Sequence, residues 1–171
     1  NLIIMRTFNN FYSIENLELS YIISNKSIAT FIKENIAKDK ATNTYRQNGF
    51  LGMDLEWNAD FEKAKKERKS YKINTDSNSI VLFEKFINEC KANNIELILV
   101  YTPEYIDGKK FVSNRDDIIQ IYRVFSIKYS IEFYDYSDDS LSLNKKYFYN
   151  ASHLNSTGAH IFSKKLANDL K

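Results

Sequence analysis

The chain has 171 residues, enough for one domain with a core of its own and too few for two comfortable ones. Its formal charge of +2 is the remainder of 24 basic and 22 acidic side chains, and no segment joins dense positive charge to a nucleic-acid motif, which argues against nucleic acid as a partner. A single cysteine, Cys90, excludes an internal disulfide, and no run of about 18 apolar residues is present to span a membrane.

Leu2-Ile3-Ile4-Met5 predicts a short strand. From Ser13 to Ala37 two apolar stripes, Ile14, Leu17, Tyr21 and then Ile28, Phe31, Ile32, predict two helices broken near Ser24-Asn25-Lys26-Ser27. Asp39 to Asn58 reads as loop, with Gly49 and Gly52 beside Tyr45, Phe50, Leu55 and the lone Trp57, a mixture suited equally to a cleft wall and to an ordinary covering loop anchored by an aromatic. The charged stretch Glu62 to Lys72 predicts a solvated helix or linker.

The second half is more regular. Ser79 is the expected cap of a helix that carries Leu82, Phe83, Phe86, Ile87 and Cys90 on one face and ends at Asn93-Asn94, which makes Cys90 a core thiol. Ile95 to Tyr101 is nearly all apolar and stops at Thr102-Pro103, the pattern of a buried strand. Asn114 is the expected cap of a helix with Asp116 and Asp117 in its first turn, and Ile131 to Tyr134 predicts a further strand. Strand, crossover helix and strand in that order imply a right-handed parallel unit. A last helix runs from Ser156 or Thr157 to Leu170. The expected fold class is thus α/β, a parallel sheet flanked by helices with helical N-terminal additions. Residues 1–70 are mostly helix and loop, 78–171 form the α/β portion, and the whole is one domain or the C-terminal fragment of one.

Between Phe148 and Asn155 a polar turn carrying His153 leads straight into the Gly158-containing final helix, so the imidazole is presented just ahead of a helix. Open parallel sheets bind ligands beyond the carboxyl ends of their strands, where the loops Pro103 to Lys109, Asp135 to Asp139 and Asn150 to His153 are expected. A neutral imidazole there can take a proton from a hydroxyl near neutral pH and return it to a leaving group. His160 follows on the helix, but no third ligand stands at a characteristic spacing, so no metal site is expected, and glycine-rich nucleotide loops are absent. No cofactor is expected.

The segment Asn150-Ala151-Ser152-His153-Leu154-Asn155-Ser156-Thr157-Gly158, followed by its apolar helix, resembles the last conserved block of the SGNH-like esterase and acyltransferase superfamily, in particular members that modify sugars and cell walls. The likeness extends over about the last hundred residues through the helix, the strand Ile95 to Tyr101 and the Pro-containing loop. It implies a flavodoxin-like, SGNH-type half-fold in which His153 is the general base and position 150 orients it. That position is an acidic residue in the family and Asn150 here, and Asp135, Asp138 and Asp139 are the candidates for a substitute carboxylate. The family's Gly-x-Ser block has no counterpart in this sequence, and Ser152 lacks the strand-to-turn setting of a nucleophile. The expectation is therefore a nucleophile upstream of Asn1 and a fragment inactive alone.

Two functions follow. In the first, the chain is the C-terminal part of a serine-dependent acyl-ester hydrolase or O-acyltransferase acting on cell-envelope polysaccharide. In the second, it is a non-catalytic protein that kept the fold and recognises a glycan or an assembly partner. Both imply an acylated glycan or cell-envelope polymer as partner, room for a protein partner, and an extracytoplasmic or cell-envelope location.

Overall fold

The structure, a computed structural model, describes the backbone of Leu2–Arg6 and residues 52–171. The two helices expected between Ser13 and Ala37, and the loop residues Tyr45, Gly49 and Phe50, lie outside the described residues. The described elements make a small mixed α/β fold: β1 (Leu2–Arg6), α1 (Asp60–Glu67), α2 (Ser77–Ala92), β2 (Glu96–Tyr101), α3 (Ile106–Phe111), α4 (Arg115–Tyr129), β3 (Glu132–Asp135), two short 3-10 turns (Ser140–Leu143 and Lys145–Tyr147), β4 (Phe148–Asn150), β5 (His153–Leu154) and α5 (Ser156–Asp169). One sheet has the order β1-β2-β3, and β4 and β5 form an antiparallel pair of their own. Just past β3, the Tyr136 N–H donates to the Tyr101 carbonyl at 2.9 Å, so β2 and β3 bring their carboxyl ends together.

The chain divides into two interleaved compact units. One contains Asn74–Leu99 and Tyr122–Phe133; the other contains 52–73, Val100–Ile121 and Tyr134–Lys171.

In the first unit the apolar face of α2 buries Ile87 and Cys90 completely. Phe83 meets Tyr122 and Phe125 edge to face, at 5.9 and 5.1 Å between ring centres, the arrangement that aligns a ring edge with a π face. The cap of α2 differs from expectation. Asp76 takes that place, accepting from the Ser79 N–H at 2.9 Å and from its hydroxyl at 2.6 Å, because a carboxylate answers the positive helix end better than a hydroxyl does. Those two bonds hold the Asp76 carboxyl below the usual carboxylate range. Helix α2 closes with Asn94 at φ 54° and the Ile95 N–H bonded to the Cys90 carbonyl at 2.9 Å. Ser130, at φ 52°, with Ile131 N–H to the Ser126 carbonyl at 3.0 Å, repeats that ending after α4.

In the second unit only the first part of the charged stretch Glu62 to Lys72, up to Glu67, is helical, as the end of α1, which is pinned by Phe61, 4% exposed, against Phe111. Beyond it Tyr71 bridges Val112. Asn114 stands immediately before α4, its carbonyl accepting from the Ile118 N–H at 3.3 Å, and its side-chain amide exchanges two hydrogen bonds with the backbone of Ile73, at 2.8 and 2.9 Å, since an amide matches a peptide group in both directions. Phe162 packs α5 edge to face on Tyr136, and Tyr136 donates its hydroxyl to Asp169 at 2.7 Å. Burial and that carboxylate push the Tyr136 phenol well up from its ordinary pKa.

Candidate functional site

The β4–β5 hairpin is anchored by Phe148 and Leu154, 1% and 7% exposed and paired in register, which leaves Asn150 to His153 as its turn. Asn150 organises that turn through one atom. Its Oδ1 accepts from the Ser152 N–H at 3.0 Å and the His153 N–H at 2.9 Å, the side-chain turn to which asparagine is suited. The same oxygen lies 2.8 Å from His153 Nδ1.

Two backbone donors identify that atom as the amide oxygen, and an oxygen accepts. Nδ1 must therefore carry the proton, and in the neutral ring the basic lone pair is on Nε2. Tyr149 lies against the imidazole, with ring centres 5.4 Å apart and planes inclined by 14°. Its π face favours a cationic partner.

The turn is held from other elements too. Helix α3 approaches it closely: the Tyr105 N–H donates to the Ala151 carbonyl at 3.0 Å, and a Cβ at Gly108 would come within 2.7 Å of the Ala151 methyl carbon. Asn58 N–H bonds the Tyr149 carbonyl at 2.8 Å. Trp57, Tyr105 and Phe148 form a run of ring contacts beneath the hairpin at 5.2 and 6.0 Å. On leaving β5 the chain caps α5 with Asn155, whose side chain accepts from the Gly158 N–H at 3.0 Å. A Cβ on Gly158 would collide with the Tyr147 carbonyl, so this glycine lets the helix start against the hairpin.

The other sequence candidates are engaged in other ways. Asp138 pairs with Lys109. Asp139 has a buried carboxylate that accepts from the Leu141 N–H at 2.8 Å and pairs with Lys165 at 2.7 Å. Ser152 contributes its backbone N–H to Asn150. His160 is exposed on α5, with Nδ1 2.8 Å from the Ser156 carbonyl one turn back. Burial pushes the Cys90 thiol up to about 11, which keeps it protonated and non-nucleophilic near neutral pH. Among the described residues no three His, Cys, Asp or Glu side chains are grouped to hold a metal ion, and no helix is long and apolar enough to cross a membrane.

Sequence reading missed a buried polar cluster at the end of β2. Glu104 Oε2 accepts from the Tyr101 hydroxyl at 2.8 Å and from Arg115 Nε at 2.9 Å, and the guanidinium lies over the Tyr101 ring. Glu104 and Arg115 are 6% and 5% exposed, so their charges are compensated inside the fold, and the start of α4 is tied to the loop after β2. The only available signal was Glu104 following Pro103 at a strand end. Its partner is remote in sequence and follows no periodic pattern.

A cleft of about 440 Å³ lies beside the hairpin, between the segment Asp54 to Trp57 and the residues Lys145, Lys146, Phe148 and Asn155 to Thr157. Leu55 and Trp57 are among its lining residues. Set against family models, curated proteins and solved structures, the chain finds no match.

Proposed function

We propose that this chain carries the general-base part of a serine-dependent acyl-ester hydrolase or O-acyltransferase acting on cell-envelope polysaccharide, on an open parallel sheet of the SGNH type. His153 is the base, Asn150 is its positioning residue, and the serine comes from outside these 171 residues. The observation that carries this reading is the bond from His153 Nδ1 to the Asn150 amide oxygen, which leaves Nε2 as the proton acceptor.

In the reaction Nε2 takes the serine hydroxyl proton as that oxygen attacks the acyl carbonyl carbon. It returns the proton to the sugar oxygen when the ester C–O bond breaks. Water or a second sugar hydroxyl, deprotonated by the same nitrogen, then takes the acyl group as the acyl–serine bond breaks, and Nε2 returns that proton to the serine oxygen. An amide fixes the tautomer but lacks the charge that stabilises an imidazolium, so the Tyr149 π face is the cation-favouring group against the ring. On this reading the protein works at the cell envelope, outside the cytoplasm, where such polymers are.

The amide at position 150 also favours a second reading, a glycan-binding or assembly protein that has kept the fold without the catalysis. Release of acetate from O-acetylated glycans by the intact protein separates the two. His153→Ala should lower turnover by several powers of ten with an unchanged circular dichroism spectrum, since an unassisted serine hydroxyl is a poor nucleophile. Equal rates would remove His153 as base, and no release by the unaltered protein would leave the binding reading.

A further inference from the structure

The cleft beside the hairpin has two unlike walls. Asp54 and Glu56 come from one segment, and Lys145 and Lys146 from another, together with the first turn of the fourteen-residue helix α5. None of these four side chains makes an ion pair among the described residues, although opposite charges line one cavity. Lys145 is instead seated over the Trp57 ring, its Nζ 4.2 Å from the ring centre. An aromatic seat holds an ammonium in place without neutralising it, which preserves its charge for an incoming anion.

The ring that seats this ammonium is itself held in place, meeting Phe61 and Tyr105 edge to face at 6.4 and 5.2 Å between ring centres.

The donors lining the cleft are two ammonium groups and the Ser156 and Thr157 hydroxyls at the start of α5. A bare polyanion would meet Asp54 and Glu56 as repulsive charges, and a neutral sugar would leave both lysines without a use. A sugar that carries an acidic group satisfies both walls, with its hydroxyls donating to the carboxylates and its anion accepting from the lysines. The volume of about 440 Å³ falls among sites for small ligands, about 300 to 1,000 Å³. We propose that this cleft binds an anionic sugar unit, a sugar bearing a phosphate or a carboxylate, with the anion against Lys145, Lys146 and the start of α5. The binding claim stands on the cleft alone; that the bound unit is part of the substrate rests on the reading of His153 as a base.

Trp57 is the chain's single tryptophan, so its fluorescence reports this cleft and nothing else. The chain is titrated with glucose 6-phosphate, glucuronate, glucose and inorganic phosphate. Saturable change in emission is expected with one or both of the first two, at least tenfold weaker with the last two and weakened by salt. The response to glucose 6-phosphate against glucuronate decides between phosphate and carboxylate. Lys146→Gln, whose side chain does not sit on the indole, should weaken binding several-fold, and the double variant Lys145→Gln/Lys146→Gln tenfold or more. His153→Ala should bind as the unaltered chain does, so loss of the acyl-transfer reading leaves this result standing. No saturable change with either acidic sugar overturns the proposal. An equal response to inorganic phosphate or to glucose, or full affinity in the double variant, overturns it as well.

Discussion

Asn150 spends one oxygen on three N–H groups, two of the backbone and one of the His153 ring, so the shape of the turn and the tautomer of the imidazole are set by the same atom. Asn150→Asp keeps the acceptor and adds a charge. A carboxylate 2.8 Å from the ring favours imidazolium, so the His153 pKa should rise relative to the unaltered chain, by about 1 unit or more, in a histidine NMR titration. The sign for stability follows. A histidine whose folded pKa is raised adds stability that is fully present below its unfolded pKa, about 6.5, and is lost as pH rises through the folded value. The variant should therefore gain in urea stability, relative to the unaltered chain, between about pH 6.5 and pH 5, above the range where the new carboxyl itself protonates. An unmoved His153 pKa would mean that position 150 does not contact the ring.

The hairpin depends on an element far away in sequence. Helix α3 contacts the turn at Gly108, where a Cβ would lie 2.7 Å from the Ala151 methyl carbon and 2.8 Å from its carbonyl oxygen. Gly108→Ala should therefore push Ala151 and its neighbours. Overpacking of this kind costs about 1 to 3 kcal/mol, and here it should also shift the His153 ring resonances. Urea unfolding together with the imidazole NMR signals checks this, and an unchanged spectrum would show that α3 does not hold the turn. Nothing in the sequence around Gly108 announces this contact. Helices α2, α4 and α5 and strands β2 and β3 were legible because each repeats apolar residues at its own period, Ile87 and Cys90 on α2 for example. Helix α3, with six residues, and β4 and β5, with three and two, are too short for any period to register, and they exist through tertiary contacts. The caps at Asp76 and Asn155 went unread for a related reason: several neighbouring polar residues qualify, and geometry selects among them.

At the scale of the whole molecule, two things share the second unit: a turn that presents one histidine, and a cleft lined by Asp54, Glu56, Lys145 and Lys146. His153 was legible as a residue placed ahead of a helix. Its stacking on Tyr149 and the buried Glu104–Arg115 pair were not, because contacts between side chains remote along the chain, or set by a tight turn, leave no periodic trace. The functional reading of the molecule turns on the position of one proton. A long-range proton–nitrogen NMR spectrum of the chain, recorded above the titration of His153, locates it directly. A protonated Nδ1 and a pyridine-type Nε2 are expected, with loss of that preference in Asn150→Ala. A proton on Nε2 in the unaltered chain would contradict that reading, because the nitrogen assigned as base would then be a donor.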